Sequence, residues 1–256
     1  MAYAEFYFFF GYQVTRVRPL KEIRDLISLL HPIQTDLIRI GGQGDGGYLI
    51  PNDLEGITTC FSPGVSTITN FESELDKLGI KCYLADYSVD LPLKISDNIS
   101  FLKKYVAPFH SETEIDFQDW VEKNIDKFGD SMLQMDIEGA EYATLLSCSS
   151  EVLRRFRIIV VEFHNLDQLF SERSFPFVRD CLKKILNDFY VVHIHPNNVS
   201  TITKKVDISV PSTMEFSFLR KDRISNLNYS VNFPHELDSP NSKSNREMFL
   251  PKIWYK

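Results

Sequence analysis

Cysteine is scarce in this chain: there are four among 256 residues, and no two stand as Cys-x-x-Cys. That excludes a disulfide framework and a zinc ribbon. Cys60, Cys82, Cys148 and Cys181 are widely separated, three of them in apolar runs, as expected of small core residues in a reducing cytoplasm. Basic charge is also in deficit, with 28 Lys and Arg against 35 Asp and Glu, a formal net charge of −7. A nucleic-acid partner is therefore not expected, because such binders carry a basic footprint. The short basic clusters (Arg154, Arg155 and Arg157; Arg220, Lys221 and Arg223) are broken by apolar or acidic neighbours and read as solvated surface. No apolar run approaches the roughly 18 residues of a membrane span. The start, "MAYAEFYFFFGYQ", is short, contains Glu5 and has no positive flank, so it reads as neither signal peptide nor span. Its aromatics are expected to cover a groove or to pack against a second subunit, which makes a homodimer a candidate state.

What is present is an ordinary globular composition, 43% hydrophobic and 25% charged, long enough for one sizeable core. Ile23, Leu26, Ile27 and Leu30 fall at helical spacing before Pro32. "DLIRIGGQGDGGYLIP" places two apolar runs around a glycine-rich turn, as in a hairpin or a ligand-facing loop. "GITTCFSPG", "IKCYLADYS", "SMLQMD", "IIVVEFHN" and "FYVVHIHP" read as strands. Helices are predicted between them: from a Ser66 or Thr67 cap to Leu78, over 116–127, in "AEYATLLSC" and in "FVRDCLKKIL". This alternation predicts an α/β fold, a mostly parallel doubly wound sheet with helices on both faces. The division expected is an N-terminal segment and helix over 1–37, a main domain over 38–224, and a loop-like tail over 225–256 in which "FLPKIWYK" could dock.

In such sheets ligands bind outside the carboxyl ends of the strands, where the strand order switches. The polar residues fall at those ends. The first turn, "CFSPGVST", offers only Gly64 with Ser66 and Thr67, so it lacks a pyrophosphate fingerprint and a P-loop. One glycine suffices for a ligand without phosphates there, such as S-adenosylmethionine. An ordinary strand-turn-helix is as good a reading of that stretch alone. Asp86, roughly 20 residues on, could accept from ribose hydroxyls or simply open a turn toward Ser88. Five glycines among residues 41–47, with Asp45, suit a loop whose backbone approaches a ligand.

Asp136 ends one strand, and Glu162 and His164 end the next. Alternation puts Glu162 and His164 on the same side of their strand. Facing one cleft, the three could hold Mg²⁺ or Mn²⁺, or act as a general base with its orienting partner. Glu138 and Glu141 read more simply as acids at a helix start. His110, His193 and His195 lie near sheet ends without a specific spacing.

"LQMDIEGAEYATLL" resembles the D-x-E-G-A-E signature of the FkbM-type S-adenosylmethionine-dependent methyltransferases. "GDGGYLIPNDLEGITTCFSPGV", "CYLADYS", "EIDFQDWVEK" and "IIVVEFHN" follow in that family's order, over roughly Ile38 to Arg220. The first glycine motif departs from the family's fuller form. The resemblance implies a Rossmann-like class I methyltransferase fold, with S-adenosylmethionine as cofactor and O-methyl transfer to a small-molecule hydroxyl, as on a sugar or nucleotide-linked sugar. It places Gly42, Asp45, Gly64, Ser66, Asp86, Tyr87 and Asp136 at the cofactor, and makes His164 and Asp136 the catalytic candidates. Two alternatives stay open: a nicotinamide-dependent oxidoreductase, and a non-catalytic binding module on a degenerate fold.

Overall fold

The computed structural model describes residues 15–67, 69–92 and 95–256. The aromatic start, with its groove or subunit contact, lies outside the described residues. Helix α1 (Leu20–Ser28) buries Ile23, Leu26 and Ile27, the stripe its periodicity predicts. Strands β1 (Leu37–Ile40) and β2 (Tyr48–Pro51) then form the antiparallel hairpin around the glycine cluster.

The main sheet starts with β3 (Ile57–Pro63) and continues through helix α2 (Asn70–Lys77) to β4 (Lys81–Ala85) and β5 (Ile99–Leu102). A two-stranded ribbon of β6 (Tyr105–Ala107) and β7 (Glu114–Asp116) leads into α3 (Phe117–Asn124), whose N-cap Asp116 accepts from Asp119 N at 3.0 Å. Then come β8 (Asp130–Met135), α4 (Glu141–Ser147), α5 (Ser150–Leu153), β9 (Phe156–Phe163), α6 (Phe175–Asp188) and β10 (Phe189–Pro196). The hairpin β11 (Ile202–Lys205) and β12 (Ile208–Pro211) precedes the last strand, β13 (Met214–Arg220).

Seven strands share one sheet in the order β10-β13-β9-β8-β3-β4-β5. All its pairings are parallel except those of β13, which runs antiparallel between β9 and β10. Counted along the chain the sheet reads 3-2-1-4-5-7-6, so the order reverses between β3 and β8. Alternation along the strands sorts two cores. Phe61, Leu133, Ile159 and Val161 face α1, α3, α4 and α6, whereas Cys60, Met132, Ile158 and Val160 face α2 and the β1–β2 hairpin. Strand β9 is buried along its whole length, as a central parallel strand covered on both faces must be. Among the described residues no helix is long and apolar enough to cross a membrane.

Two expectations shift. The helix after β3 begins at Asn70 with Thr69 as N-cap, not at Ser66 or Thr67, because Gly64 to Ser66 are used in a cavity wall. The acidic helix ends at Asn124. The tail has no strand or α-helix, only a 3-10 turn at Lys252–Trp254, yet it is anchored: Trp254 is fully buried and its Nε1 donates to Ser209 O at 3.0 Å.

Candidate active site

Three strand-end turns meet at the switch point. Gly64 N donates to Ala85 O (2.9 Å) and Asp136 N donates to Pro63 O (3.1 Å), so the ends of β3, β4 and β8 are tied together. Gly64 has φ +83°, and a Cβ built on it would lie 1.5 Å from the Asp136 carbonyl oxygen. Only glycine allows the two turns to come this close.

The β8 turn is shaped by its acids in unequal ways. Glu141, the first residue of α4, is completely buried, and its Oε1 accepts from Ile137 N (3.2 Å) and Gly139 N (3.0 Å). The same oxygen lies 3.1 Å from His164 Nδ1. Glu141 is thus an internal strut between the loop and the imidazole, not merely an acid at a helix start. Glu138 lies outside the helix at φ +55° with its side chain exposed, and its carboxylate is 3.4 Å from His164 Nε2. Asp136 Oδ1 is 3.8 Å from Nε2 on the same side.

These contacts perturb the titrations. Burial alone would lower the His164 pKa. The Glu141 hydrogen bond and the charges of Glu141, Asp136 and Glu162 outweigh it and raise the value to about 9. Asp136 is raised to about 7, by burial first, with His164 opposing and Glu138, Glu141 and Asp45 adding repulsion. Its Oδ1 is buried without a hydrogen-bond partner among the described residues. Glu162 is raised to about 9 by burial and by the neighbouring Asp136 and Glu215, although Asn197 Nδ2 donates to it at 2.7 Å.

Glu162 belongs to a polar row across three strands. In register, Glu162 on β9 faces Glu215 on β13, which faces His195 on β10. The tail reaches this row: Asn241 Nδ2 donates to Glu215 Oε1 at 2.6 Å, and the Asn241 carbonyl accepts from Asp45 N at 3.1 Å. His193 Nε2 meets Asp238 Oδ1 at 2.8 Å just beside it.

Three cavities open here. An apolar-walled one of about 590 Å³ is lined by Gly64, Ala85, Asp86, Val106, Asp136 and Ala140, among others. An acidic one of about 370 Å³ is lined by Asp45, Asp136, Glu138, Glu162, His164 and Asn197, with Asn241 and Ser242 of the tail. A small one of about 160 Å³ lies between Tyr48, Ser66, Gln134 and Asp136. Asp136 is common to all three.

The residues singled out in the sequence fall as follows. Gly64, Asp86 and Asp136 line the apolar cavity; Asp45, Asp136, Glu162 and His164 line the acidic one; Ser66 lines the small one. Asp86 Oδ1 accepts from Ser88 N and Oγ, both at 2.6 Å, so it also makes the turn. Gly42 and Tyr87 line none of the three. The Gly42 carbonyl accepts from Arg39 Nε at 2.6 Å in a glycine loop wrapped around that guanidinium, and the Tyr87 ring packs 5.3 Å from that of Tyr105. Of the proposed cation ligands, Asp136 and His164 come within mutual reach together with Glu138, all three ligand atoms within 4.8 Å of one another. Glu162 stands in the same cavity outside that set. His110 pairs with Asp119 on the surface. Asn197, Glu215 and Asn241 went unrecognised in the sequence, and no local pattern marks them.

The strand order is that of a Rossmann-like class I methyltransferase fold. Residues 70–189 match the family model described as the methyltransferase FkbM domain. No curated protein matches the chain. Among solved structures, a fibrillarin/Nop5p complex aligns at 12% identity and TM-score 0.37, over 64% of this chain and 73% of that one. A protein provisionally described as an RNA methyltransferase from Pyrococcus horikoshii aligns at 10% identity and TM-score 0.33, over 79% and 86%. One provisionally described as an rRNA methylase from Clostridium thermocellum aligns at 11% and 0.35, over 82% and 100%.

Proposed function

We propose that the protein transfers a methyl group from S-adenosylmethionine to a hydroxyl of a small, sugar-like molecule, with Asp136 between donor and acceptor. One observation carries this reading: Asp136, with the exposed Glu138 beside it, lines both the apolar and the acidic cavity, and it alone of the two is half-buried and also lines the small one. The apolar cavity suits the donor in size and wall, since ligand pockets run to about 300–1,000 Å³ and are mostly apolar. Gly64 lets backbone come close there, and Asp86 stands at its rim. When bound, the donor supplies a methyl already activated by its sulfonium.

The chain must then hold the hydroxyl in line and take its proton. Asp136 is placed for that task, with a pKa near the working pH, where general-base catalysis is most effective. His164, kept protonated by its carboxylate neighbours, offers an N–H donor at Nε2, and Glu141 fixes its ring at Nδ1. An imidazole with a pKa of about 9 is a poor base at neutral pH, which leaves that task to Asp136. Glu162, Asn197 and Asn241 add the hydrogen-bonding groups that a polyol needs. With four carboxyl side chains and no Lys or Arg among the described lining residues, the cavity favours the sugar end of an acceptor over a phosphate.

A divalent cation, Mg²⁺ or Mn²⁺, gives a second form of the reading, favoured by the convergence of Asp136, Glu138 and His164. Turnover that survives exhaustive chelation would remove the cation. Calorimetry of the full chain with S-adenosylmethionine, with NAD as control, tests the proposal itself. Donor binding and no NAD binding is the expected result, and absence of donor binding would sink it. A screen of sugar acceptors with labelled donor then identifies the hydroxyl.

A further inference from the structure

A second cluster of ligating side chains lies where the tail crosses the sheet edge. His193 and His195, two residues apart on edge strand β10, point to the same side and converge on Asp238 of the tail. We propose that His193, His195 and Asp238 form a Zn²⁺ site that locks the C-terminal tail onto the sheet.

The geometry supports this in three ways. One ligand atom from each residue lies within 4.8 Å of the others, and all three side chains are almost wholly buried. A tetrahedral zinc with bonds of about 2.0–2.1 Å holds neighbouring ligand atoms roughly 3.3 Å apart. His193 Nε2 and His195 Nδ1 lie 2.8 and 3.5 Å from the same oxygen, Asp238 Oδ1, and bracket that spacing.

His195 is also poorly served by hydrogen bonds. Its Nδ1, the nitrogen that faces Asp238, makes a contact only at the outer limit of one. A buried imidazole so placed is costly unless something else binds it.

Two imidazoles with one carboxylate select a first-row cation such as zinc over magnesium or calcium, which take oxygen ligands. His235 flanks the cluster without joining it, since its Nδ1 accepts from Leu237 N and its proton therefore sits on Nε2. The fourth position is left to water. Asp238 also accepts from His235 N through Oδ2 at 2.7 Å, so an ion here fixes the tail backbone three residues before Asn241 and Ser242 enter the acidic cavity wall.

The test is zinc calorimetry on the full chain after metal stripping, with circular dichroism confirming that the stripped chain stays folded. It is run in an Asp136→Asn background to silence the other cluster. One equivalent of zinc bound there, and lost in His195→Gln and in Asp238→Asn, is expected. Zinc should also protect residues 225–256 from limited proteolysis. If the variants fail to fold, the visible spectrum of the Co²⁺-loaded unmutated chain decides, tetrahedral bands supporting the site and octahedral ones overturning it. No binding to the folded stripped chain, binding that survives both ligand substitutions, or binding abolished by Asp136→Asn alone would each overturn the proposal.

Discussion

Gly64→Ala is the substitution most directly tied to geometry. The new Cβ would sit 1.5 Å from the Asp136 carbonyl oxygen, 2.4 Å from its carbon and 3.1 Å from Ile137 Cγ2. A methyl has no rotamer through which to escape, so the β3 and β8 turns must separate by about 2 Å to reach ordinary contact. Overpacking costs about 1–3 kcal/mol, and a side chain at positive φ adds about 1–2. Straining the two hydrogen bonds at Gly64 N and Asp136 N adds about 1–3 more. The total, on the order of 4 kcal/mol or above, corresponds to a drop of roughly 8–16 °C in Tm for a chain of this size. Displacing Asp136 by an ångström or more should also cost about 10²-fold in turnover. Gly79→Ala is the control, because Gly79 has φ +78° but nothing within 4 Å of a built Cβ. It should lose only the part due to φ, about 1–2 kcal/mol. Thermal melts of the three chains, with donor calorimetry alongside, make the comparison. A Gly64→Ala chain no less stable than Gly79→Ala, with unchanged donor affinity, would refute the reasoning.

Methyl transfer in chelated buffer should follow a bell-shaped pH profile. The rate rises through about pH 7 as Asp136 loses its proton and falls through about pH 9 as His164 loses its own; a flat profile across that window contradicts the assigned roles. His164 also stabilises the fold. Its raised pKa gives a contribution fully present below the unfolded value of about 6.5 and lost as pH climbs through about 9. Glu141→Gln should lower the His164 pKa, read by NMR titration, and move the alkaline limb of the profile toward neutrality; an unmoved limb would show that the strut does not act through the imidazole. Arg157 is 7% exposed at its side chain and joins Asp53 (3.3 Å) to Asp130 (2.8 Å). Arg157→Ala removes these bonds and those to the Asp53 and Glu55 carbonyls, while Arg223 and Arg220 still hold the two carboxylates; it should cost about 1–3 kcal/mol in urea unfolding, and a loss below about 1 kcal/mol would mark the pairs as solvent-screened.

The alternation of apolar runs was enough to read the parallel sheet and the positions of Asp136, Glu162 and His164, because strand period and strand ends are local properties. The placement of Gly64 and Asp86 beside one cavity followed from the same logic. Glu141 was misjudged: an acid at a helix start looks alike whether it faces water or hangs beneath a loop, and only the turn of Glu138 at φ +55° and Gly139 at φ +104° folds the loop over it. The helix start was misplaced by a few residues for a related reason. Ser66 and Thr67 have cap chemistry, but the chain needs those positions to span the cavity before it can turn. Glu215, Asn197, Asn241 and Asp238 were invisible because they reach the site across the sheet or from a tail whose polar composition resembles disorder.

The two large cavities draw on different parts of the chain. The apolar one is built from residues between 64 and 143, a contiguous stretch of strands and turns. The acidic one is pieced together from positions as far apart as Asp45 and Ser242, with the tail as one wall. On the proposed reading, evolution can exchange the tail and so re-specify which hydroxyl is methylated, while the machinery that delivers the methyl group is inherited unchanged. An engineer has the same freedom, and for the same reason a purification tag or truncation at the C-terminus is an intervention in substrate choice.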